Sequence, residues 1–142
     1  MSLNVEISGL DGVDRRLEKL GADVAADRAR AIAKTAHKMK SFVQRGIVKG
    51  PATGRVYKRR SVTHQASAAG EAPMSDTGRL AQSVTADVER ASATVGSNVV
   101  YAAHLEYGTR NMEPRPIWEP AAVKGRKWLK DAMQEAVERA VK

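Results

Sequence analysis

Cysteine is absent from the 142 residues, which excludes a disulfide framework and any site that holds a metal through thiolates. Aromatic residues are nearly absent too, at 4% of the chain. Of the 42% that is hydrophobic, much is alanine, which buries little area per residue. The expected core is therefore thin, and association with other chains adds to its stability. No run approaches the roughly 20 apolar residues that a membrane span needs. The N-terminus, MSLNVEISGL, lacks both a basic n-region and a long apolar h-region, so no signal peptide is expected. Acidic residues are missing altogether between Asp27 and Glu71, a stretch that holds eleven of the 24 Lys and Arg residues. The rest of the chain carries 13 basic against 16 acidic residues, so the net charge of +8 is a local feature and asks for a local cause.

What is present suits a single domain over residues 1–142. Val5 and Ile7 alternate with polar neighbours and predict a short half-buried strand. Val13, Leu17, Leu20 and Val24 then fall at helical spacing, and the stripe resumes one position out of phase at Ala25, Ala29, Ile32, Ala36, Met39, Val43 and Ile47. A helix over about 12–48 is expected, with a kink or shift of face at Gly21. Lys49-Gly50-Pro51 ends it, because Gly serves a C-cap and Pro cannot continue the ladder. Residues 50–76 show no helical period and predict a long, flexible, basic loop of the kind that often serves binding. Asp76 or Thr77 is expected to cap a short helical turn. Val84, Ala86 and Val88 share one face of a hairpin that turns near 90–92 and returns through Thr94 and Val95. Residues 99–108 predict a strand running into a short helix, or a helix outright, capped by Gly108. Pro120 suits the first turn of a last helix with Trp118, Ala122, Leu129, Ala132, Met133, Ala136, Val137 and Ala140 on its apolar side. The expected class is α+β: a small antiparallel sheet packed by a long N-terminal helix and a C-terminal helix, with a long central loop.

No catalytic constellation assembles. His37, His64 and His104 lie far apart. The His-Leu-Glu at 104–106 echoes the His-x-Glu of zinc deaminases, but a chain without cysteine cannot hold zinc as that site requires. No glycine-rich phosphate loop or nucleophile elbow occurs, and nothing joins a nucleophile, a base and an orienting group. We expect no enzyme, no metal and no cofactor. The basic segment has three readings: a solvated helix face and loop, a nucleic-acid contact over 28–60 with Tyr57 as a stacking surface, or docking against an acidic protein neighbour. Its helical part suits the first, since late lysines complement the helix dipole. The loop part, with four cations between Arg55 and Arg60, suits a contact.

Four of the six aromatic residues, Tyr101, Tyr107, Trp118 and Trp128, cluster around a bend that holds Pro114, Pro116 and Pro120. They either pack the thin core or anchor an interface. The order of motifs bears on the choice. Ala66–Pro73 reads A-S-A-x-G-E-x-P, Asp76–Leu80 reads D-T-G-x-L, Tyr101–Thr109 reads Y-A-x-x-x-E-x-G-T, and Arg115–Ala121 reads R-P-[FI]-[LW]-x-P-A, with Ile117 where Phe is common. This series, over about 5–142, resembles the Hong Kong 97-type phage gene-product-10 family of neck and tail-completion proteins. The resemblance implies a structural protein of the head–tail junction that stops tail-tube growth or joins tail to head. It implies a ring, a hexamer by similarity to tail terminators, with the major tail protein and a head-completion protein as partners. Location in the virion, and in the host cytoplasm during assembly, follows. Such a ring needs head-to-tail interfaces that close. The residues expected to line them are Arg55, Tyr57, Lys58, Arg59 and Arg60 on the adaptable loop, and Tyr101, Glu106, Tyr107, Arg110, Arg115 and Trp118 on the stiff bend. Non-specific contact with DNA is the alternative use of the basic segment; no membrane partner is expected.

Overall fold

The computed structural model describes residues 11–141; the strand expected at Val5 and Ile7 lies outside them. Helix α1 runs Asp11–Lys49, about 58 Å at 1.5 Å per residue. It is one helix through Gly21. Nothing packs against that glycine, and a lone Gly costs only about 1 kcal/mol without breaking a ladder. The predicted stripe is used unevenly. Val43 and Ile47 are fully buried and Ala36 nearly so, while Leu20 and Val24, near the other end, are exposed.

Strands β1 (Val56–Arg59) and β2 (Val62–Gln65) form a hairpin inside the stretch expected to be loop. The short helix α2 covers Arg79–Gln82. Strands β3 (Val84–Val88) and β4 (Ala93–Ser97) pair antiparallel, with Val84 opposite Ser97 and Val88 opposite Ala93, as the alternating pattern predicts. Helix α3 covers Tyr101–Tyr107 and helix α4 Trp118–Val141, with Pro120 in its first turn. The class is α+β as expected, but the four strands make two separate two-stranded sheets.

The core gathers at the C-terminal end of α1. Val43 and Ile47 meet Leu80 and Ala81 of α2, Val84 of β3, Ala102 of α3, Ile117 just before α4 and Ala121 within it; Phe42, Val95, Leu105 and Trp118 pack on its edge. The long helices run antiparallel, with Gly46 against Ile117 and Gly125 against Met39. A side chain at Gly125 would overlap the Met39 thioether, so glycine lets the two helices approach there. On the apolar side of α4, Ala121, Gly125 and Ala136 are buried, whereas Val137 is exposed.

The cap expected from Asp76 or Thr77 is not made: Gly78 takes the N-cap position of α2 with φ 79° and no side-chain cap. Ser75 Oγ accepts the Gly78 N–H at 2.9 Å instead, which leaves Asp76 for other partners. Among the described residues, no helix is long and apolar enough to cross a membrane.

Candidate interface surfaces

The β1–β2 hairpin, with Arg55 just before it, carries the densest run of positive charge in the chain. Tyr57 pairs across with His64, and Arg59 with Val62. Because cross-strand partners share a face, Tyr57, Arg59, Val62 and His64 lie on one side and Val56, Lys58, Thr63 and Gln65 on the other. All four residues of β1 are exposed. The turn has two residues, Arg60 and Ser61, and Arg60 sits at φ 53°, in the left-handed region. Arg59 Nη1 reaches Asp76 Oδ2 at 3.2 Å, and His64 Nδ1 lies 3.9 Å from Asp76 Oδ1. The result is a concave saddle of about 950 Å³, walled by Tyr57, Lys58, Arg59, Arg60 and His64 with Asp76 on its floor. The Arg55 guanidinium lies over the Tyr57 ring, 5.6 Å from its centre.

Glu71 anchors the base of the hairpin. Its carboxylate accepts the Thr53 hydroxyl at 2.6 Å, the Thr53 N–H at 3.2 Å and the Ala68 N–H at 2.7 Å. The Thr53 hydroxyl first, then the Ala68 and Thr53 amides, hold the carboxyl below the usual Glu range, and the charge of Arg115 adds to this. Gly70 N–H donates to Pro114 C=O at 2.9 Å, so this base also touches the proline-rich bend.

That bend is organised from within. Glu106, expected at an interface, is only 8% exposed, and its side chain points into the fold. Its carboxylate accepts the backbone N–H groups of Ile117 at 2.8 Å, Trp118 at 3.0 Å and Glu119 at 2.8 Å. These are orphan donors at the start of α4, where a negative charge also meets the positive end of the helix dipole. Gly108 ends α3 at φ 76°, and a Cβ there would press on Met112 C=O and the Pro114 ring. Thr109 and Met112 close the turn with paired backbone bonds of 2.8 and 3.2 Å, and Arg115 N–H donates to Leu105 C=O at 2.7 Å.

The expected interface residues thus divide. Arg55, Tyr57, Lys58, Arg59 and Arg60 are exposed together on the hairpin, and Tyr101, Tyr107 and Arg110 are exposed around α3. Tyr107 is 81% exposed and its neighbour in the fold, Val100, 82%. Trp118 packs on the core edge, and Arg115 is half-buried beside Glu71 with no partner for its Nε among the described residues. Trp128 does not join the bend: it stacks edge-on against Phe42 of α1 at 6.0 Å, under the Lys38 ammonium at 4.4 Å. Sequence reading missed Glu71, Asp76 and Val100 as organisers of these surfaces. Glu71 is the first carboxylate after 43 residues without one, a signal that it serves a basic or donor-rich neighbourhood.

The chain matches the phage virion morphogenesis family over residues 9–141, a span that includes both surfaces. It belongs to that family. The match supports a phage assembly protein, associated with the virion, but not the specific Hong Kong 97-type gene-product-10 family that the motifs resemble. No curated protein and no solved structure matches the chain.

Proposed function

We propose that this protein is a tail-completion component of the head–tail junction of a tailed phage, acting as a ring that terminates the tail tube or joins the tail to the head. The observation that carries the reading is that a member of a virion morphogenesis family exposes two distinct contact surfaces, the cationic hairpin and the Val100–Tyr107 corner, on a body whose core is thin. A ring subunit requires two different surfaces that meet head to tail, and a tail or head partner requires a further one. Exposed tyrosines and arginines are the side chains most used as interface anchors. The partners on this reading are further copies of the chain, the major tail protein and a head-completion protein, and the structural role involves no catalysis.

Deleting the gene from its phage and imaging the lysate by electron microscopy tests this. The expected result is filled heads alongside unattached or overlong tails, restored by supplying the protein in trans. Joined, infectious virions of normal tail length in its absence would overturn the reading.

A further inference from the structure

The hairpin differs from the rest of the chain in the sign and the arrangement of its charge. Arg55, Lys58, Arg59 and Arg60 fall within six residues, in a stretch from Arg28 to Gly70 that holds no acid. All four are exposed. The acids that reach the hairpin come from outside that stretch. Asp76 pairs with Arg59. Glu71, at the base, is occupied by the Thr53 and Ala68 donors, with the charge of Arg115 beside it. Among the described residues, Arg55, Lys58 and Arg60 have no ion-pair partner. A cation also holds the tip at a cost, since Arg60 sits at φ 53°, where Gly or Asn strains less.

The positive field continues onto α1. Ser75 N–H donates to Ile47 C=O at 2.8 Å, one residue before the Asp76 that holds Arg59. The hairpin is thereby tied to the C-terminal end of α1. Lys38, Arg45 and Lys49 are exposed on that helix, and their spacing of seven and four residues puts them on one face, over about 17 Å. A shallow groove there is lined by His37, Lys38, Ser41, Gln44 and Arg45, with no acid among them. Lys38 stands about three turns before the helix end, so the helix dipole does not account for it. Its ammonium lies over the Trp128 ring at 4.4 Å and has no ion-pair partner among the described residues.

Charge of one sign calls for a partner of the other, and the arrangement selects which. Arg55, Tyr57 and Arg59 lie on one face of the ribbon, Lys58 on the other and Arg60 at the tip. A flat acidic protein surface meets only one face of such a ribbon. The major groove of a DNA duplex admits a two-stranded ribbon and walls it with phosphates on both sides. A second copy offers no match on α4, where Asp131, Glu135 and Glu138 stand among Lys127, Lys130 and Arg139. Tyr57, 49% exposed, adds a hydroxyl of the kind that donates to phosphate. We propose that the β1–β2 hairpin enters the major groove of double-stranded DNA, with Arg55, Lys58 and Arg60 on backbone phosphates and the α1 cations on the flanking strand. Phosphate contacts carry no sequence information, so duplexes of unrelated sequence bind alike. The inference goes beyond the ring reading and does not rest on it, because the hairpin meets a duplex in one copy as in many.

Fluorescence anisotropy of a short labelled duplex, titrated with the full chain over a salt series, tests this. Wild type should lose about a hundredfold in affinity between about 50 and 200 mM salt, as roughly four phosphate contacts require. Lys58→Gln with Arg60→Asn should reduce the slope of log affinity against log salt by about two. Lys127→Gln with Lys130→Gln removes the same charge from exposed positions of α4 and should leave that slope unchanged. Circular dichroism checks that both variants stay folded. On the wild-type chain, methyl green, which fills the major groove, should compete, and netropsin, which fills the minor groove, should not. No binding at low salt overturns the proposal. So does an equal loss in both variants, because binding then follows net charge alone. Poly-glutamate that competes as well as duplex at equal charge would give the hairpin to an acidic protein, and the proposal fails. It fails too if light scattering shows that the hairpin variant loses self-association while duplex binding is kept. The ring reading is judged separately, by the gene deletion.

Discussion

The β1–β2 hairpin and the bend between α3 and α4 solve opposite problems with similar residues. Both combine an acidic residue, an arginine and an aromatic ring. In the bend, the acid points inward: Glu106 satisfies three amides at the head of α4, and Trp118 follows it onto the core edge. In the hairpin the acid, Asp76, holds Arg59, and among the described residues the other cations have no ion-pair partner. One region spends its polar groups on the fold. The other keeps them available, at the cost of a strained turn and exposed apolar area. The general lesson is that a charged side chain reveals its use by what it satisfies. A carboxylate saturated by backbone N–H groups belongs to stability, and a cation without an ion-pair partner on a marginal ribbon is left available to a neighbour.

This contrast breaks most readily at Glu106. Replacing it with Ala leaves three donors at the partly buried start of α4 without their carboxylate. Urea unfolding should show a loss of about 2–3 kcal/mol. A loss below about 0.5 kcal/mol, the usual range for a surface substitution, would mean that the bend is not held from within. Glu71 gives a smaller effect and one tied to pH. Because its carboxyl lies below the ordinary value in the folded chain, its stabilisation is complete above the usual Glu range of about 4.3. It is lost as pH falls through the lowered value. Wild type should therefore melt above Glu71→Gln near neutral pH, with the gap closing in acid; a constant gap would sink the clamp. The smallest effect, and the one that sharpens the comparison, is Arg60→Asn. It should raise stability by about 0.5–1 kcal/mol by relieving the left-handed turn while weakening duplex binding in fluorescence anisotropy. A variant both more stable and equally bound would show that the cation at the tip meets no phosphate.

Local signals reached far into this fold. Apolar residues at three- and four-residue spacing marked both long helices, and the alternation of Val84, Ala86 and Val88 marked the β3–β4 hairpin. The β1–β2 hairpin escaped notice because Lys and Arg occupy positions where a half-buried strand would show apolar alternation; both faces are wet, so the usual pattern has no reason to exist. Asp76 looked like a helix cap because it stands just before a helical turn. Its partners, Arg59 and His64, sit more than ten residues upstream and return only when the hairpin folds back. Glu106 looked like a surface residue of a short helix for the same reason: the amides that it caps come eleven to thirteen residues later.

By itself, then, the sequence determined both long helices, the β3–β4 hairpin, the turns at Gly and Pro, the concentration of positive charge before Glu71 and the order of motifs that points to phage assembly. These depend on neighbours within a turn or a strand, where spacing along the chain is distance in space. Only the tertiary structure decided which charges are consumed and which are free. That depends on the path by which α3, the bend and α4 bring a carboxylate to distant amides, and on the path that leaves the hairpin, among the described residues, with Asp76 as its one acidic partner.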